Sequence, residues 1–311
     1  MKQLILIIIA ASFFSCQERW KSTPRDTVKI DTLQGQSLLK TPLLSSQLQA
    51  KDSAKVSKYL KALDTYNSNP MNAEFIVWLG RRTAYLGDYK KAIAIYTEGI
   101  EKHPEDPRMY RHRGHRYITT RQLDLAIQDF EKAVTLINGT EDIVEPDGIP
   151  NSLNQPVSSL HTNIYYHLGL AYYLKADWPK ALSNYKKCLE ASTNADMRVA
   201  ASHWLYMILQ RLERPEDANK LLEPIRFKMP IIENNVYHML LLYYKGDLNE
   251  NDLDANNNGG AKEAAHYGIA HWHQYNNQPE TAVAMYNYLI ENGIWSGFGY
   301  IAAEAELSRI Q

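Results

Sequence analysis

Two stretches decide the fold: Trp78-Leu79-Gly80-Arg81-Arg82-Thr83-Ala84-Tyr85-Leu86 and Tyr110-Arg111-His112-Arg113-Gly114-His115-Arg116-Tyr117. Their glycines, Gly80 and Gly114, stand 34 residues apart, and so do Ala92 and Ala126 beyond them. That period is the length of a helix-turn-helix repeat. In such a unit the first helix carries a large residue, then a glycine, then an aromatic on one face. The glycine has no Cβ, so the second helix can approach closely. The second helix carries alanine and, four residues later, an aromatic. The first copy reads Ile76, Leu79, Gly80, Ala92, Tyr96 and Pro104, with Gly87 and Asp88 at the turn. The second reads Tyr110, Gly114, Tyr117, Ala126, Phe130 and Ala133, and the third Tyr165, Leu168, Gly169, Tyr172, Trp178, Ala181 and Tyr185.

Two weaker copies follow, through Leu205, Leu209, Ala218, Leu222 and Pro230, and through His266, Ile269, Ala270, Ala282 and Tyr286. The expected fold is all-α: a right-handed superhelical solenoid of about five helix pairs over residues 72–311, with no sheet there. Terminal helices should cap it. Leu48, Val56, Leu60 and Leu63 predict one before the first repeat, and Phe298, Ile301, Ala302, Ala305 and Leu307 predict one at the end. A solenoid grows along one axis, so 311 residues need no second core.

Beyond the two opening stretches, three more look familiar: Glu145-Pro146-Asp147-Gly148-Ile149-Pro150-Asn151, Ser202-His203-Trp204-Leu205-Tyr206-Met207 and Phe298-Gly299-Tyr300-Ile301-Ala302-Ala303-Glu304. With these the chain resembles uncharacterised bacterial tetratricopeptide-repeat (TPR) lipoproteins from about residue 36 to 310. The resemblance implies the fold and no particular activity.

The N-terminus gives an address. Lys2 precedes an apolar run from Leu4 to Phe14, too short to span a bilayer and suited to a signal-peptide core. Phe13-Phe14-Ser15-Cys16 resembles a lipobox, which would make Cys16 the lipid-bearing first residue of the mature chain. The expected division is a lipoprotein signal peptide over 1–15, a polar tether over 16–46 and the solenoid domain over 47–311, with insertions near 138–161 and 247–262. The chain would then sit in the cell envelope, on the outer membrane facing the periplasm. The other cysteine, Cys188, takes a helix-contact slot and is expected to be buried and inert. A net charge of −1 favours neither nucleic acid nor an acidic membrane surface.

Between Arg108 and Arg121 lie five arginines, two histidines and no acid. If the first helix of each pair faces the concave groove, Arg108, Arg111 and His115 point inward. Arg81 and Tyr85 join them from the preceding unit, and Tyr166, Tyr173, His203, Arg211, Tyr267 and His271 from later ones. Arginine forks suit carboxylates and phosphates, and aromatic walls suit peptides or sugar rings. A solvated basic face is the plainer alternative.

Arg113 stands where the other copies place Leu79 and Leu168, so a carboxylate must reach it; Asp129 or an acid of the following loop could serve. That loop, an insertion of 21 residues, carries Glu141, Asp142, Glu145 and Asp147 and no base. It either folds back on Arg108, Arg111 or Arg113, or crosses solvent. No metal site is expected. His112 and His115 are flanked by arginines, and His271 and His273 fall on different helix faces. Asp252, Asp254, Asn256, Asn258 and Glu263 imitate a calcium ladder, but Asn257 replaces its turn glycine. No enzyme motif and no cofactor fingerprint is present. The leading reading is a non-catalytic, lipid-anchored adaptor for a protein or peptide partner. The alternative is a binder of a small anionic or sugar-like ligand in the arginine- and tyrosine-lined groove.

Overall fold

The computed structural model describes residues 28–49, 52–254 and 260–310. The expected signal peptide, Cys16, the first part of the tether, and Asn256, Asn257 and Asn258 lie outside the described residues. Fourteen helices occur among the described residues. Helix α1 (Ser53–Ser68) packs on the first pair, α2 (Ala73–Tyr85) with α3 (Tyr89–Lys102). The next pairs are α4 (Pro107–Thr119) with α5 (Leu123–Ile137), α6 (Leu160–Leu174) with α7 (Trp178–Ala191), and α8 (Ala195–Arg211) with α9 (Pro215–Leu222). Then come α10 (Asn235–Lys245), the short α11 (Glu250–Asp254), the pair α12 (Gly260–Tyr275) with α13 (Pro279–Asn292), and α14 (Phe298–Ile310). The array is the expected all-α solenoid of five pairs.

Local chemistry sets the boundaries. Side chains of Asn72, Asp88, Asp106, Ser159, Asp177 and Asn194 each accept a backbone N–H of the helix they open. Within three pairs the repeat glycine is required by packing. A Cβ on Gly80 would stand 2.4 Å from the Tyr96 ring, on Gly114 2.9 Å from Phe130, and on Gly169 2.7 Å from Tyr185. The turn within each pair uses one left-handed residue: Gly87, Arg121, Ala176, Glu213 and Asn277. Only the glycine adopts it without strain; an L side chain there costs about 1–2 kcal/mol.

Three features depart from expectation. The second half of the stretch read as a tether is built into the fold. Strands β1 (Leu33–Gln36) and β2 (Pro42–Leu44) form an antiparallel hairpin that buries Gln34 and Leu43. The Ser45 hydroxyl donates to Gly87 O at 2.7 Å, and the amide of Leu38 donates to Glu304. Polar composition suggested a solvated segment, but backbone pairing and these few side-chain bonds order it. Second, α10 was unforeseen; its start is held by Asp196, whose carboxylate accepts from the amides of Ile232, Glu233 and Asn234.

Third, α14 is core rather than a cap. Residues Gly299 to Leu307 are buried on every face, and the helix packs on α12, α13 and α6. Two of its residues are acids. Glu304 is fully buried and meets Arg121, whose Nε and Nη2 donate at 3.1 and 2.7 Å; Arg121 also donates to the carbonyls of Thr119 and Trp295. Glu306 meets Arg211 at 2.5 Å and Arg309 at 2.8 Å, and accepts from Tyr267 Oη at 3.1 Å. The Arg121 guanidinium thus ties the turn of the second pair to α14 across 183 residues.

Removing one partner of such a pair leaves a buried charge uncompensated. Glu304→Ala should lower the free energy of unfolding by about 3–5 kcal/mol in a urea titration. The double variant Arg121→Met with Glu304→Leu should recover much of that loss. A Glu304→Ala midpoint equal to the parent's would show that the pair does not hold the ends together.

Candidate functional site

Of the residues expected to line an open groove, those on α6, α8 and α12 pack against one another in a filled interior. Tyr166, Tyr173, His203, Tyr267 and His271 are buried. Tyr173 and Tyr267 share a hydrogen bond of 2.5 Å between hydroxyls, and Tyr166 Oη accepts from Trp204 Nε1 at 2.7 Å. His203 stacks on Tyr237 and Tyr244, with ring centroids 4.9 and 5.9 Å away, and His271 lies 4.4 Å from the Tyr275 ring. Arg211 is consumed by Glu306, between the rings of Trp178 and Tyr275. His115 packs between His167, 4.5 Å away, and Phe298 of α14, 5.3 Å away. The array curls far enough for α12 and α14 to meet α6, and the aromatic faces close on one another instead of on a ligand.

The basic helix is tied down by acids. Arg108 forks onto Asp106 and reaches Glu74 at 2.5 Å. Arg113 meets Asp129 through two bonds of 2.8 and 2.7 Å, with Thr97 accepting a third, so it is a structural pair between the helices of one repeat. Arg111 meets Glu145 of the acidic insertion at 3.0 Å, both side chains nearly buried. The insertion therefore folds back. Glu145 also accepts from Asn163, Arg82 donates to Gly148 O at 2.7 Å, and Asn151 donates to Glu233 at 2.6 Å. Asp142 caps α6, accepting from Ser159 Oγ and the amide of His161. Residues 138–159 thus bridge from the first repeat to the segment before α10 as a fixed strap.

What remains open lies at the first repeat. Arg81 stacks over Trp78 at 4.5 Å and is half-buried, as is Tyr85, against which Gly148 packs. Arg116, absent from the sequence-based set, lies over Tyr89 at 5.6 Å. Burial lowers its pKa, although Tyr89, Tyr96 and Tyr85 nearby pull it up. Burial likewise raises the carboxyl of Asp147, whose Oδ2 finds no partner, although Arg81 pulls it down. The signal for Arg116 was its place one residue past His115 in an acid-free run.

Among the described residues no three His, Cys, Asp or Glu side chains converge as a metal site would require. His112 stacks flat on Tyr96, centroids 5.5 Å apart. Cys188 is buried, and that burial pushes its thiol up to about 12.

Residues 107–139, which comprise α4, α5 and the turn between them, match the family model described as Tetratricopeptide repeat. The chain thus carries a tetratricopeptide repeat over α4 and α5, within an all-α solenoid of helix pairs. Similar solved structures include a tetratricopeptide repeat protein from Parabacteroides merdae, at TM-score 0.46 and 16% identity over 83% of this chain and 91% of that one. Another is YrrB, described as a TPR protein with an unusual peptide-binding site, at TM-score 0.42 and 15% identity over 79% of this chain and 97% of that one. A third is a thermophilic TPR protein of Thermus thermophilus, at TM-score 0.39 and 13% identity over 77% of this chain and 100% of that one.

Burial of the interior histidines has a pH consequence. Burial, with Arg111 nearby, holds His167 down at about 3, and burial holds His203 at about 3; His112, His115 and His271 are lowered well below the ordinary range for the same reason. The unfolded chain takes up protons on these rings near pH 6.5 while the folded chain does not. Their contribution is therefore complete above about pH 6.5 and is lost as pH falls below it, each ring adding about 1.4 kcal/mol per pH unit. Urea midpoints should drop steeply from pH 7 to pH 5. A flat profile would mean that these rings are solvated. At neutral pH, Arg113→Ala should destabilise by roughly 3–5 kcal/mol by stranding Asp129.

Proposed function

We propose that the chain is a non-catalytic docking scaffold for a protein segment. In this reading it is exported, carries a lipid on Cys16, and faces the periplasm from the outer membrane. The observation that supports docking is the strap over residues 138–159. Ile143, Val144, Ile149 and Leu153 stand half or more exposed on it. Several exposed apolar side chains on one short loop favour an interaction site over scattered surface apolar residues. These are presented on a backbone pinned by Glu145, Asp142 and Gly148, so a partner would meet them with little ordering left to do. Tetratricopeptide repeats commonly present such surfaces from the concave side. Here α14 and the aromatic core occupy that side, which moves the docking face outward onto the strap.

The expected anchor rests on residues 2–16 alone, where a charged start, an apolar core and a cysteine follow in lipoprotein order. Cys16→Ser should abolish lipid labelling and release the protein from the membrane fraction. For docking, the double variant Ile149→Glu with Leu153→Glu should keep the parent's melting temperature. It should lose most of the partner recovered by affinity capture from native envelope. Undiminished capture with the double variant would remove the strap as the docking face.

A further inference from the structure

We infer that the cavity between the N-terminal hairpin, the α2–α3 turn and the α13–α14 loop binds a neutral saccharide of one or two rings. The cavity measures about 420 Å³, and none of the strap's residues stands in its lining. Tyr85, Tyr89 and Trp295 line it. Tyr89 and Trp295 meet edge to face, centroids 5.4 Å apart and planes at 80°, so they present two apolar surfaces near a right angle. A pyranose ring has an apolar C–H face and a rim of hydroxyls, which such a corner accepts on one side while leaving the rim free.

The aromatic walls are fixed in advance. Arg116 lies over Tyr89 at 5.6 Å and Arg82 over Tyr85 at 5.7 Å. Trp295 donates its indole N–H to Leu44 O at 2.9 Å, and its carbonyl accepts from Arg121 at 2.7 Å. Walls that do not have to be ordered on binding let a small ligand keep its contact energy.

The polar lining selects hydroxyls over charges. Ser45, Gln47 and Gln49 border the cavity. The Ser45 hydroxyl already donates to Gly87 O, and the Gln47 amide to Ile30 O and Thr32 Oγ1, so these two offer oxygens that accept, while the Gln49 amide both donates and accepts, as sugar hydroxyls do. The acid and the base among the described lining residues, Asp52 and Lys55, stand 3.6 Å apart and offset each other. An extended peptide strand finds little to pair with. Pro42 has no N–H, Leu44 O already accepts from Trp295, and the amides of Ser45, Leu86 and Gly87 donate to Thr32, Thr83 and Ala84.

Saturation-transfer difference NMR on the full mature chain tests this, with glucose, N-acetylglucosamine, maltose and cellobiose as probes and triglycine and succinate as controls. At least one sugar should receive transfer at its ring C–H protons, and the controls none. Trp295→Phe should retain the signal, while Trp295→Ala should reduce affinity at least tenfold. Because Trp295→Ala also removes a structural contact to the hairpin, Gln49→Ala provides a second readout. Gln49 is exposed, so its variant should fold as the parent does and still weaken the sugar signal. Absence of transfer to all four sugars overturns the inference. So does transfer undiminished in Gln49→Ala, or transfer to triglycine or succinate in place of sugar.

Discussion

Two glutamates buried in the otherwise apolar stretch from Ile301 to Leu307 hold this structure together. Glu304 and Glu306 lie two residues apart on α14, so they point in different directions, one toward Arg121 and the other toward Arg211 and Arg309. Burying a carboxylate costs several kcal/mol unless its lone pairs are met, and here each acid has at least two charged or hydroxyl donors. Apolar side chains alone would let α14 slide or rotate among nearly equivalent positions. The three ion pairs permit one register. That register sets Phe298 against His115 and His167 and places Trp295 against the hairpin and Tyr89.

Once the ends are joined, the concave side ceases to be a surface. Tyrosines and histidines that would line a ligand groove in an open array satisfy one another, through hydroxyl pairs and stacked rings. The acidic strap then crosses what remains of the opening, exchanging Glu145 for whatever Arg111 would otherwise attract. On the proposed reading, recognition falls to the outside: the exposed apolar residues of the strap, and the aromatic corner beneath the hairpin. Both are built on the first repeat and on the segments that close over it.

Much of the fold was legible because repeats restate themselves. The 34-residue spacing of Gly80 and Gly114 fixed the pairing of α2 with α3 and α4 with α5, and the clash of a Cβ with Tyr96 or Phe130 explains the glycines physically. Arg113 in a leucine slot required an acid on the paired helix, and Asp129 meets it. An acidic loop after an acid-free basic helix had a reason to return, and Glu145 does. The interior was not legible, because helical periodicity reports which face is apolar and not what packs against it. Tyr173 and Tyr267 have the same pattern whether they line a groove or fill a core. Glu304 and Glu306 were the available clue, two acids in a helix whose other positions from Ile301 to Leu307 are apolar. The hairpin and α10 depend on tertiary partners, Glu304 and Asp196, that no local pattern announces.

Native-state hydrogen exchange of the α14 amides tests the closure most directly. If the two glutamates lock this helix into the interior, amides from Ile301 to Leu307 should exchange only through global unfolding, as slowly as those of α6. Exchange at the rate of a fraying terminal helix, with α6 still protected, would contradict the account and return the concave side to solvent.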